Sequence, residues 1–162
     1  MKKIIVFIIP IVILIFIGLA YNYLNRNEER IEIKSLSNIE IYKFNSYTKF
    51  SNDKIDEIDD EQKLLKFKMI MNSLDTSDGI KKIEYPEDIN IESFEYYAHI
   101  KPNFSYIDEK EEVYEDGTFL LFICIGDSEG KSYINFMGSE LIYILGESNT
   151  KILKEIFSDA KY

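Results

Sequence analysis

The chain has 162 residues, with 29 acidic against 19 basic side chains and a formal net charge of −10. An acidic surface repels phosphate backbones, which excludes nucleic acid as a partner and favours a basic one. The single cysteine and single histidine exclude an internal disulfide and a His/Cys-rich zinc centre, so the fold must rest on its apolar core.

Lys2 and Lys3 open the chain, and from Ile4 to Leu24 no side chain is ionisable except the tyrosines Tyr21 and Tyr23. A membrane-spanning helix takes about 20 apolar residues, with tyrosines favoured at the headgroups. Residues 1–24 are therefore expected to form a signal anchor or transmembrane helix that contacts the lipid bilayer through residues 4–24. Pro10 is compatible with such a helix. Gly18-Leu19-Ala20 supplies small residues for the alternative, a signal peptide cleaved after Ala20. Positive charge lies on the N-terminal side, so the N-terminus is expected in the cytoplasm and the remainder outside it. A short juxtamembrane linker is expected over 25–30. Residues 31–162 are then long enough for one extracytoplasmic domain.

Within that domain, Ile31-Glu32-Ile33-Lys34 and Ile39-Glu40-Ile41-Tyr42-Lys43-Phe44 alternate with the period of a strand. Tyr47–Phe50 is expected to extend or return the second strand. Asp59 is placed as a helix N-cap, with Gln62 as its capping-box partner. Leu64, Phe67, Met71 and Leu74 recur at three and four residues and form one apolar face. Asp75–Gly79 ends that helix, and Ile80–Tyr85 is expected to be a strand that stops at Pro86. Phe94, Tyr96, Ala98 and Ile100 share one strand face, with Tyr97 and His99 on the other; Lys101-Pro102-Asn103 is expected to break the strand. Phe119–Ile125 is apolar on both faces and belongs at the centre of a sheet. Tyr133–Met137 and Leu141–Ile144 give further strands. Asn149 or Ser148 is expected to cap a last helix with its stripe at Ile152, Leu153, Ile156, Phe157 and Ala160. The order predicts an α+β fold: an N-terminal transmembrane helix, then a mostly antiparallel sheet with two helices packed on one face.

Chemistry is sparse. Gly126-Asp127-Ser128-Glu129-Gly130-Lys131-Ser132 imitates a phosphate-binding loop, but only three residues separate its glycines. A strand rather than a helix follows, so a hairpin turn is the better reading. His99 reads as a sheet residue. Cys124, among Phe122, Ile123 and Ile125, reads as a small buried hydrophobe, where burial opposes thiolate formation. Carboxylates concentrate at Asp53–Glu61 and at Asp108, Glu109, Glu111, Glu112, Glu115 and Asp116. The second run is the one candidate for cation binding, but neither run has the ligand order of a calcium loop, and solvated segments explain both. No catalytic or cofactor-binding residue and no cofactor is assigned.

The N-terminal run, the segment Tyr133–Gly138 followed by Leu141–Ile144, and the closing helix together resemble small exported, membrane-anchored domains of unknown function from low-GC Gram-positive bacteria. The resemblance carries no site residue, and this chain lacks the lipid-attachment cysteine many such domains have. It implies a non-enzymatic binding or accessory protein of the cell envelope, immunity-like in one version, whose partner is a basic envelope protein or peptide. The alternatives are an exported hydrolase using a carboxylate pair, or a calcium-binding surface module.

Overall fold

Strand alternation in Glu32–Tyr42 turns Ile33, Ile39 and Ile41 inward, each at most 3% exposed, while Glu40 and Tyr42 face the opposite side of the sheet. The computed structural model describes residues 32–46, 49–76, 80–84, 90–107 and 111–160. Its strands are β1 (Glu32–Tyr42), β2 (Lys54–Ile58), β3 (Ile80–Glu84), β4 (Tyr96–Ile107), β5 (Val113–Thr118), β6 (Leu121–Ile125), β7 (Ser132–Phe136) and β8 (Leu141–Leu145). Its helices are α1 (Glu61–Ser73) and α2 (Glu147–Phe157). The sheet runs β2-β1-β4-β6-β7-β8-β3, with β5 paired to the far half of β4, and every pairing is antiparallel.

All five residues of β6 are buried, as a central strand covered on both faces requires. One face of the sheet meets the helices. Phe67 and Met71 of α1, Leu153 and Phe157 of α2, and Ile39, Ala98, Ile123 and Ile134 of the strands belong to a single apolar cluster. Phe67 meets Phe157 edge-on at 6.2 Å between ring centroids, joining the two helices. The ion pairs Lys63–Asp159 and Lys66–Glu155 add a solvated seam between them.

Several sequence expectations change. The expected spanning helix over 1–24 and the linker over 25–30 lie outside the described residues. Among the described residues no helix is long and apolar enough to cross a membrane. The two helices have 13 and 11 residues, each with one buried face and one wet face. The expected fold, a transmembrane helix followed by a mostly antiparallel sheet with two helices on one face, is therefore corrected to the sheet with its two helices, without a spanning helix among the described residues.

The N-cap of α1 is Asp60 rather than Asp59: its carboxylate accepts from the Gln62 and Lys63 amides at 3.0 and 2.9 Å. The last helix starts at Glu147 behind Gly146, with no side-chain cap, so neither Asn149 nor Ser148 caps it. Strand β2 occupies Lys54–Ile58, inside the first acidic run. Strand β4 continues through Pro102 to Ile107. The proline is tolerated because β4 changes partner there: β6 pairs as far as Ile100, and β5 starts at Asn103.

Candidate functional site

Among the described residues, an open groove combines an apolar floor with charged walls. It lies where β1 passes α1, has a volume of about 180 Å³, and is lined by Lys34, Ser35, Leu36, Glu61, Leu64, Leu65 and Lys68. Local sequence explains both walls. On α1, Glu61, Leu64, Leu65 and Lys68 recur at three and four residues, so they lie along one side of the helix. On β1, the register against β4 slips between Ile33 and Ser35 and again between Leu36 and Asn38. Irregularities of this kind bend a strand and re-aim its side chains, and here they bracket the three lining residues.

The groove is held open by specific bonds. The Asn72 side chain accepts from the Ile33 amide at 3.0 Å and donates to the Ile33 carbonyl at 2.9 Å, pinning α1 to β1 just beyond the lining residues. Lys68 Nζ donates to the Lys34 carbonyl at 3.0 Å across the groove. Ser35 Oγ pairs with Ser105 Oγ at 2.7 Å. Leu64 is buried, whereas Leu65 is 53% exposed and offers apolar surface to a ligand. Glu61 is the one carboxylate among the lining residues. The first amides of α1 are already capped by Asp60 and do not serve as a free anion site.

The opposite face of the sheet carries a second set of polar groups. Tyr42 donates to Glu40 at 2.8 Å; Lys101 pairs with Glu40 at 3.2 Å, and Lys54 bridges Glu40 to Glu57. Asn38 donates to Glu57 and accepts from Asn103 at 2.7 Å. The Tyr42 hydroxyl, then Lys101 and Lys54, hold Glu40 below the usual carboxylate range, so it stays ionised and makes a poor proton acceptor. His99 is fully buried, and burial pushes its imidazole below the ordinary histidine value. Burial pushes the Cys124 thiol far up, which removes it as a nucleophile at neutral pH.

The candidate cation site is not assembled among the described residues. Asp108 and Glu109 lie outside them. Glu111, Glu112, Glu115 and Asp116 are exposed on and before β5, and Glu112 accepts from the Tyr114 hydroxyl at 2.9 Å. Among the described residues no three His, Cys, Asp or Glu side chains gather as metal ligands. The phosphate-loop look-alike is a turn between β6 and β7. There Gly126 and Gly130 take positive φ, and Asp127 Oδ1 accepts from the Glu129 and Lys131 amides at 2.9 and 2.7 Å. Sequence reasoning missed the groove, because its residues are ordinary strand and helix positions 25 or more apart.

An antiparallel sheet with two helices on one face and a groove between a bent strand and a helix is the class of protein this chain represents. A family model described as "-like" matches residues 31–157. A solved structure, a thioesterase-like protein from Clostridium sporogenes, is 65% identical with a TM-score of 0.76, and the match covers 80% of this chain and 99% of that one. No curated protein matches. The chain belongs to the family of that thioesterase-like protein.

These findings overturn the resemblance to exported, membrane-anchored domains. They also overturn the reading as a membrane-anchored accessory or immunity-like protein, for which the comparisons offer no relative. Among the described residues, neither the carboxylate pair of the alternative hydrolase nor the calcium-binding surface is assembled. The groove is lined by one carboxylate rather than two, and among the described residues no three acidic side chains gather as metal ligands.

Proposed function

We propose that this domain is a hydrolase of small acyl thioesters, with the β1–α1 groove as the place where the acyl group sits. The observation that carries the reading is the 65% identity, over 80% of this chain, to a protein described as thioesterase-like. The groove supports it. Leu36, Leu64 and Leu65 provide an apolar floor, and a volume of 180 Å³ equals about six waters at ~30 Å³ each, which suits a short acyl chain. Glu61 then activates the attacking water by accepting its proton. The water oxygen bonds to the thioester carbonyl carbon, the carbon–sulfur bond breaks, and the proton held by Glu61 passes to the departing thiolate, giving a carboxylic acid and a thiol and restoring the carboxylate. A thiol of ordinary pKa, about 8.5, leaves readily, so one carboxylate suffices without a strong general acid. The Lys34 and Lys68 ammonium groups supply positive charge beside the oxygen on which negative charge develops.

The test is thiol release from a series of acyl thioesters of increasing chain length, using the full chain and its Glu61→Gln variant. The expected result is turnover that peaks at short chains and falls at least ~10²-fold in the variant, the lower range for a lost general base. No release above the uncatalysed rate with any member of the series would end the hydrolase reading. Turnover unchanged in Glu61→Gln would remove the groove as its site.

For location, the charge and hydropathy of residues 1–24 support placement of residues 31–162 outside the cytoplasm. Protease sensitivity of the domain in intact cells is the expected outcome, and full protection would refute it.

A further inference from the structure

His99 is the only histidine of the chain and is entirely buried on the sheet face opposite the helices. Its covering is a strap made by residues 43–46 and 49–53, between β1 and β2. Both imidazole nitrogens are committed to that strap. The Ser51 amide donates to Nδ1 at 3.3 Å, and Nε2 lies 3.0 Å from the Ser46 carbonyl. An amide must donate and a carbonyl must accept, so the ring is the neutral tautomer with its proton on Nε2. Phe50 stacks on the imidazole at 5.0 Å and 14°, and Phe44 lies at 5.2 Å. Phe122 closes the third side from the sheet at 5.8 Å.

We propose that His99 is a proton-operated latch: neutral, it holds the strap on the sheet, and protonated, it releases it. The chemistry is local. A second proton would go on Nδ1, where it would face the Ser51 N–H. A hydrogen bond would become two opposed donors, and the charge would sit in an aromatic box. Among the described residues, the strap's other hydrogen bonds include Lys43 N–H to the Asp53 carbonyl at 3.0 Å, Asp53 N–H to Ser51 Oγ at 3.1 Å, and Lys49 N–H to Ser46 Oγ at 3.1 Å. All three lie within the strap; besides His99, ring packing holds it to the sheet, Phe50 on Tyr42 at 4.8 Å and Phe44 on Tyr97 and Phe122 at 5.6 and 4.9 Å.

Among the described residues, the ionisable groups around the ring do not offset its charge. The strap carries Lys43, Lys49 and Asp53. From the sheet come Glu40 and Tyr42 on β1, Tyr97 and Lys101 on β4, Cys124 on β6 and Tyr133 on β7. Glu40, the nearest acidic candidate by register, is already engaged by Tyr42 and Lys101. Burial and the Ser46 carbonyl, in that order, set the proton affinity of the ring, and no carboxylate contributes.

The direction follows by linkage. Above the ordinary histidine value, 6.5, closed and open strap are both neutral at this ring, and pH has no effect through it. Below it the open form takes up a proton first, so the open-to-closed ratio rises up to about tenfold per pH unit until the closed form also titrates. Opening lifts Phe44 and Phe50 away and uncovers Phe122 and the imidazole, an aromatic surface available only under mild acid.

The single histidine makes the test clean. The full chain is titrated from pH 8 to pH 4.5 while the His99 ring resonance is followed by NMR. Hydrogen exchange of residues 43–53, corrected for intrinsic rate, is measured at the same points. The expected result is a ring midpoint below 6.5, with strap protection falling in parallel and helix protection unchanged. In His99→Gln, which keeps a hydrogen-bonding side chain but takes no proton, the pH dependence should disappear. A strap whose protection ignores pH in the wild type would overturn the latch, whether or not the variant folds. So would an equal dependence in His99→Gln.

Discussion

Gly117→Ala gives a sharp test of the packing, because two rules predict opposite signs. Gly117 sits in β5 directly across from Phe104 of β4. In a strand, alanine normally stabilises relative to glycine by roughly 0.5–1 kcal/mol, through lower chain entropy in the unfolded state. Here a Cβ at residue 117 would lie 2.5 and 2.7 Å from two Phe104 ring carbons and 2.7 Å from one of Tyr106. Phe104 is 2% exposed and is held against Phe119 at 4.6 Å between centroids, and Tyr106 is stacked on Tyr114 at 4.9 Å. Phe104, closed in on the core, has no free space to move into. Forcing a carbon into a filled site costs about 1–3 kcal/mol, so the net effect should be a loss of about 1–2 kcal/mol. For a unit spanning Glu32–Tyr162, of about 130 residues, each kcal/mol shifts Tm by roughly 3–5 °C. Scanning calorimetry of the full chain should therefore show the variant melting about 3–10 °C lower. A Gly117→Ala/Phe104→Leu double variant should lose less than the two single losses added, since the smaller ring position relieves the clash. A Tm equal to or above the wild type in Gly117→Ala would refute the claim that the two rings lie on the glycine.

Two further changes probe other parts of the molecule. Asp60→Ala removes the acceptor of two amides at the start of α1, and should cost about 1 kcal/mol, with faster amide exchange confined to residues 61–64. Denaturant titration unchanged in Asp60→Ala would reject the cap. Glu40→Gln tests the linkage of the polar network. The folded state holds Glu40 below its ordinary value of 4.5, so its contribution is present above that pH and is lost as pH falls through the lowered value. The variant should therefore show a shallower loss of stability below pH 4.5 while its stability at neutral pH drops, and parallel curves would contradict the assignment.

The elements that could be read from sequence are those whose neighbours along the chain already state their environment. Leu121–Ile125 is apolar at every position, and that alone places it between two covered faces. Leu64, Phe67 and Met71 follow the helical period and are buried together. Strand β2 was hidden, since Ile55 and Ile58 stand among four carboxylates and the charge pattern outweighs the strand signal. Pro102 was read as a break because a proline usually ends pairing; its tolerance depends on β5 and β6 sharing one side of β4, which is a property of the assembled sheet. Caps moved by a residue or more, because Asp59 and Asp60 are equivalent as letters and differ only in which carboxylate reaches the amides.

By itself, then, the sequence determined the acidic character of the chain, the central strand, the two amphipathic helices, and the inertness of a cysteine set among isoleucine and phenylalanine. These follow from local composition and period. The tertiary structure alone decided that Lys34–Leu36 and Glu61–Lys68 face one another across a groove, and that the one histidine is clasped at both nitrogens by a strap. Both arise from contacts between segments 25 to 53 residues apart. Register slips and the burial of a single ring set those contacts, and neither leaves a mark in the spacing of nearby residues.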